Sequence, residues 1–151
     1  MNSQNLATLI AELRRDEGVR YSPYKDTAGV DTVGCGHNLD CKPLPAGWKY
    51  PLNDVQVNSL LDDDLEDVFH DLDRALPWWT DLSDVRQRVL ANMAFNLGIT
   101  KLLGFRNTLV YMRQGKYSQA ADGMLSSAWA SQVKGRAQRL AAMMRTGQTQ
   151  G

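Results

Sequence analysis

Two carboxylates nine residues apart, Glu17 and Asp26, are the residues whose type and setting best suit them to chemistry. Glu17 closes an amphipathic segment that Gly18 interrupts, and Asp26 lies in a stretch rich in glycine and turn residues. Such a pair can cleave a glycosidic bond. One carboxyl delivers a proton to the leaving oxygen, while the other stays ionised to stabilise an oxocarbenium-like transition state or to handle a water. Spacing alone does not make the two face one site, and taken singly they are ordinary surface carboxylates. Cys35, His37 and Cys41 carry donor atoms that a metal uses, but a structural zinc site needs a fourth ligand, and His70 is distant on a predicted helix. Neither metal nor cofactor is expected. With two cysteines and no CxxC spacing, unpaired thiols are favoured over a local Cys35–Cys41 disulfide.

The elements that must position these groups follow from periodicity. Leu6, Leu9, Ile10 and Leu13 recur at helical spacing, predicting a helix over 4–16 with Glu17 at its end. From Val19 to Cys41 the texture changes to turn residues and short β-like runs, with a turn at Ala28-Gly29, which predicts a small glycine-rich antiparallel sheet. A proline-bearing loop spans 43–51. Asn53 to Gln56 reads as a capping box opening a long helix over about 53–75, on Val57, Leu60, Leu61, Leu65, Val68, Phe69 and Leu72. Its acidic run, Asp62 to Asp64 with Glu66 and Asp67, reads as a solvated face. The remainder reads as short helices punctuated by glycine, over 83–97, 105–114, 118–129 and 136–146, the first carrying the strongest apolar stripe. Trp78, Trp79 and Trp129 read as packing residues rather than sugar platforms. The fold class is therefore α+β: a small β-hairpin lobe (18–52), a connecting helix (53–75) and a larger helical lobe (76–151) that also takes the first helix.

The chain has 151 residues and a formal net charge of zero, yet residues 1–75 carry 7 basic against 14 acidic side chains and residues 76–151 carry 10 against 3. A basic half attracts anionic polymers, a class that includes nucleic acid and bacterial cell wall, and charge alone does not choose between them. Sorting of this kind also serves to attract one lobe to another. No apolar run reaches the length of a membrane span, and the first ten residues have no signal-peptide pattern.

The ordered blocks Asp16-Glu17-Gly18-Val19-Arg20, Tyr24-Lys25-Asp26-Thr27 and Thr32-Val33-Gly34-Cys35-Gly36-His37 resemble the phage-type lysozymes of glycoside hydrolase family 24, in the spacing E-x8-D-x5-T and the ending G-x-G-H. Downstream, Asn92 to Gly98, Gly104 to Leu109, Trp129 and Arg145-Thr146-Gly147 resemble T-even members of that family, so the likeness covers almost the whole chain. It implies a two-lobed lysozyme-like fold with a cleft between the lobes. It implies Glu17 as general acid, Asp26 as second catalytic carboxylate and Thr32 as the hydroxyl that positions the attacking water. It further implies substrate contacts from Phe95, Asn96 and Thr108, an arginine partner for Glu17 in Arg136, and a structural His37–Asp64 salt bridge. The chain departs from the pattern at Cys35, which suggests thiol sensitivity, and at Asn96, Thr108 and Gly123, which alter the substrate contacts.

The implied substrate is bacterial peptidoglycan, cut by hydrolysis at the β-1,4 bond between N-acetylmuramic acid and N-acetylglucosamine, for host lysis. A monomer is expected, with no nucleic acid and no stable membrane association. It would gather in the host cytoplasm and reach the wall after holin-type permeabilisation. A lytic transglycosylase acting at the same bond, a non-catalytic wall-binding module and a nucleic-acid binder are the competing readings. Retention of Asp26 and Thr32 speaks against the first, the complete catalytic set against the second, and the absence of a recognised binding motif against the third.

Overall fold

The computed structural model describes residues 1–150; Gly151, where the sequence predicts fraying, lies outside them. The architecture is α+β. Among the described residues are eight α-helices, one 3-10 turn (Pro77–Asp81) and one three-stranded antiparallel sheet. The chain forms two compact units, residues 7–67 and residues 1–6 with 68 onward.

In the first unit, α1 (Ser3–Glu17) contributes buried Leu9 and Leu13, and α2 (Asp54–Ala75) contributes Val57, Leu60, Leu61 and Leu65, four residues of one helical stripe. The sheet comprises β1 (Arg20–Lys25), β2 (Asp31–Gly34) and β3 (His37–Asn38) in sequential order. Buried Thr32 and Val33 lie on β2, while β1 is mostly exposed. β1 and β2 pair at Arg20–Gly34 and Tyr24–Thr32, with an irregularity between these two pairs where Pro23 falls. The Tyr21 carbonyl accepts the Leu52 N–H at 2.8 Å, tying the proline-bearing loop to β1. α2 opens on the reciprocal capping box expected from the sequence. Asn53 Oδ1 accepts from the Gln56 N–H at 2.9 Å, and Gln56 Oε1 accepts from the Asn53 N–H at 3.0 Å.

In the second unit, α3 (Asp84–Leu97) is buried continuously from Gln87 to Ala94, including Arg88 and Asn92. Ser83 caps it. Around it stand α4 (Ile99–Leu103), α5 (Arg106–Arg113), α6 (Tyr117–Leu125), α7 (Ala128–Val133) and α8 (Gly135–Thr146). The helix expected over 118–129 is in fact two: Ser126 closes one and Ser127 caps the next, its Oγ accepting from the Ala130 N–H at 3.2 Å. The five-residue α4 was not expected; its apolar run is too short to show a period. Arg88 donates to Asn5 Oδ1 and to Thr149 Oγ1, both at 2.8 Å, anchoring the two ends of the described chain to α3.

Candidate active site

Glu17 is the last residue of α1, and Gly18 leaves the helix at a φ of +72°, a conformation that costs glycine little. That end of α1 is held by Arg14, whose Nη1 donates to Asn58 Oδ1 on α2 at 2.9 Å. The Glu17 carboxyl lies against Gly36 in the β2–β3 turn. A Cβ added at Gly36, itself at a φ of +64°, would stand 3.0 Å from Glu17 Oε1. The second glycine of the G-x-G-H block is therefore where backbone and carboxyl approach each other.

Asp26 stands in the β1–β2 hairpin and builds it. Its Oδ1 accepts from the N–H groups of Ala28 and Val30, both at 2.8 Å, while its own N–H donates to the Val30 carbonyl at 3.0 Å. Its exposed side chain has a second oxygen, Oδ2, with no hydrogen bond among the described residues. Thr32 is buried to 4% exposure on β2, and its hydroxyl donates to that same Val30 carbonyl at 2.8 Å. One peptide group thus fixes both Asp26 and Thr32. Since the single Thr32 hydroxyl proton is spent on Val30, its oxygen faces any further partner as an acceptor.

Tyr24 sits directly opposite Thr32 across the β1–β2 pair, on the same face of the sheet. The Arg20 guanidinium lies 4.5 Å from the centre of its ring. Burial holds the phenol above its ordinary pKa, and negative charge on Glu17 adds to this; Arg20 opposes, and Cys35 and Asp26 raise it further. Glu17, Asp26 and Cys35 therefore all act on one hydroxyl. Neither Val30 nor Tyr24 was singled out from the sequence. Val30 acts through its backbone, which leaves no trace in residue type, and the E-x8-D spacing gave no reason to pick Tyr24.

His37 is buried on β3. Its Nδ1 meets Asp64 Oδ2 at 2.7 Å and its Nε2 donates to the Lys42 carbonyl at 2.8 Å, which commits both ring nitrogens and leaves neither for a metal. Lys42 extends the cluster with ion pairs to Asp64 (3.7 Å) and Asp67. Burial alone would lower the His37 pKa, but the bond to Asp64 and that residue's charge outweigh it, and the net shift is upward. Cys35 and Cys41 are not joined by a disulfide. Cys35 is only 1% exposed, so the thiol that solvent reaches is Cys41 and not the one in the G-x-G-H block.

The helical unit holds a cavity of about 790 Å³ lined by Thr108, Gly123, Trp129, Phe105, Lys101 and Gln132, among others. Trp129 Nε1 donates to Asn96 Oδ1 at 2.7 Å, and the Trp129 ring meets Phe105 edge-on at 6.1 Å. Trp129 is buried and still forms cavity wall, so the packing role expected of it and a place at the cavity coincide. Of the three expected substrate contacts, Thr108 lines this cavity, Asn96 joins it through Trp129, and Phe95 is not part of its lining. A Cβ at Gly123 would fall 2.3 Å from Thr108 Oγ1, so the departure at Gly123 is what lets Thr108 occupy its position. Arg136 is 7% exposed rather than a solvated helix charge; its Nε and Nη2 donate to Asn92 Oδ1 at 3.0 and 2.8 Å.

Residues 14–146 match the phage lysozyme family, most of the chain. The chain belongs to the phage lysozyme family. It is thereby a lysozyme-type hydrolase. It is 30% identical over 155 residues to the pre-baseplate central spike protein of Enterobacteria phage T4, a match covering 89% of this chain and 27% of that longer protein. It is 27% identical over 156 residues to probable T4-type lysozyme 1 of Dictyostelium discoideum, covering 89% of this chain and 92% of the relative. With the endolysin of Salmonella phage P22 it shares 29% identity over 121 residues, 77% of each chain. No helix among the described residues is long and apolar enough to cross a membrane.

Proposed function

We propose that this chain is an endolysin that hydrolyses the β-1,4 bond between N-acetylmuramic acid and N-acetylglucosamine in bacterial peptidoglycan, the whole chain acting as one monomeric lysozyme domain. The observation that carries this reading is the Val30 peptide group, which holds Asp26 and Thr32 in one hydrogen-bonded turn. Glu17 gives its proton to the bridging oxygen, which leaves with the N-acetylglucosamine. A water bonds to the anomeric carbon of the muramic acid from the opposite side, and its proton passes to Asp26. Thr32, an acceptor because Val30 takes its proton, orients that water by receiving its other hydrogen. Delivery of water opposite the leaving group inverts the anomeric centre. Phe95, Asn96 and Thr108 are assigned substrate contacts, supported for Thr108 and Asn96 by the cavity they border. In a phage-infected cell the enzyme would wait in the cytoplasm for a holin-type pore.

Clearing of purified peptidoglycan by wild type and Glu17→Gln, with mass spectrometry of the soluble products, tests this. Reducing-end muropeptides from the wild type and a loss of at least about a hundredfold in the variant are expected. Anhydro-muramic products would make the enzyme a transglycosylase, and equal activity of the two proteins would remove Glu17 from the mechanism.

A further inference from the structure

Among the polar groups around Glu17, Asp26 and Thr32, the Tyr24 hydroxyl stands apart. It is part of a half-buried side chain and makes no hydrogen bond to the protein among the described residues, yet it is not sealed from solvent, so its proton is open to a ligand. Its surroundings are otherwise strongly specified. The register sets it opposite Thr32 on the same face of the sheet, the backbone carries Asp26 two residues beyond it, and one face of its ring is covered by Arg20. With that face taken, the ring is a poor platform for stacking a sugar, and the useful contact it offers is the hydroxyl. A guanidinium against the ring also removes rotational freedom from the phenol before any ligand arrives, which lowers the ordering cost of binding.

We propose that Tyr24 is a substrate-binding residue whose phenol donates a hydrogen bond to an oxygen of the saccharide held at Glu17, Asp26 and Thr32, a hydroxyl or N-acetyl carbonyl of the bound amino sugar. The inference rests on the hydrolase reading above. The neighbouring carboxylates suit the phenol to this task. Burial and the charges of Glu17 and Asp26 keep it protonated beyond its ordinary range, so it is a donor at any pH at which the carboxylates work. A saccharide, rich in acceptors and without charge at its ring hydroxyls, is the chemistry such a donor recognises.

Tyr24→Phe removes the hydroxyl and keeps the ring under Arg20. Kinetics on soluble, un-cross-linked glycan strands of peptidoglycan should show KM raised roughly 3- to 10-fold, the range of one neutral hydrogen bond, with kcat within about twofold of wild type. Because no protein partner is lost, Tm should stay within about 1 °C. Affinity for the same strands, measured in the inactive Glu17→Gln background, should fall by the same factor on adding Tyr24→Phe. A wild-type KM, or a loss of activity matched by a drop in Tm, overturns the inference. Failure of the hydrolase reading is separately visible, as anhydro-muramic products from the wild type or as no turnover of the strands by the wild type.

Discussion

The two units hold their polar side chains in different ways. In residues 7–67, which carry 6 basic against 12 acidic side chains, most polar contacts are local: Asp26 with Ala28 and Val30, Thr32 with Val30, Lys25 with Asp31 at 2.7 Å, and Asn53 with Gln56. In the unit of residues 1–6 and 68 onward, with 11 basic against 5 acidic, helix caps are local too, but buried or half-buried side chains are also joined across long stretches of sequence. Arg88 reaches Asn5, Arg136 reaches Asn92, and Trp129 reaches Asn96. A hairpin that builds its site from neighbours forms that site as it forms itself. A helical bundle forms its polar contacts only once the helices have packed, and each buried partner lost there leaves a desolvated group behind.

Asn92→Leu puts the greatest strain on this contrast. It withdraws from a buried guanidinium an acceptor that two of its N–H groups use, at a cost of about 2 kcal/mol in chemical denaturation. A cost below about 0.5 kcal/mol, the level of an ordinary surface substitution, would show that the helical unit tolerates such losses as a surface does.

Gly123→Ala comes next. Its new Cβ collides with Thr108 Oγ1, and overpacking of this kind costs about 1 kcal/mol or more. The same change in a Thr108→Ala background should cost clearly less. Equal costs in the two backgrounds would mean that the pair is not coupled.

The smallest effect concerns one of the long-range contacts of the hairpin unit, the half-buried His37–Asp64 pair, 27 residues apart in sequence. His37 has a raised pKa in the folded protein, so its contribution is complete below the unfolded value of about 6.5 and disappears as pH rises through the raised folded value. Thermal unfolding across pH should therefore show wild type losing stability relative to His37→Gln over that interval. Parallel curves would mean that the pair contributes nothing that depends on the histidine proton.

Much of the hairpin unit was legible in the sequence because its logic is local. Gly18 ending a helix, an aspartate in a turn and Asn53 with Gln56 three residues on are bonds between near neighbours, and residue type announces them. Glu17, Asp26 and Thr32 as a set came from the family resemblance, whose pattern lies in one short stretch of chain. The long helices declared themselves by their apolar period, and α7 and α4 were missed or merged because five or six residues are too few to display one.

The sequence by itself determined the α+β class, the main helices, the candidate carboxylates and the family. The tertiary structure alone decided that Val30 joins Asp26 to Thr32 through its peptide group, that Tyr24 faces Thr32 across the pair, that Arg136 is buried on Asn92, and that Cys35 is sealed from solvent. A backbone carbonyl is the same in every residue, and burial depends on what packs from elsewhere in the chain. Neither is written in residue type or spacing.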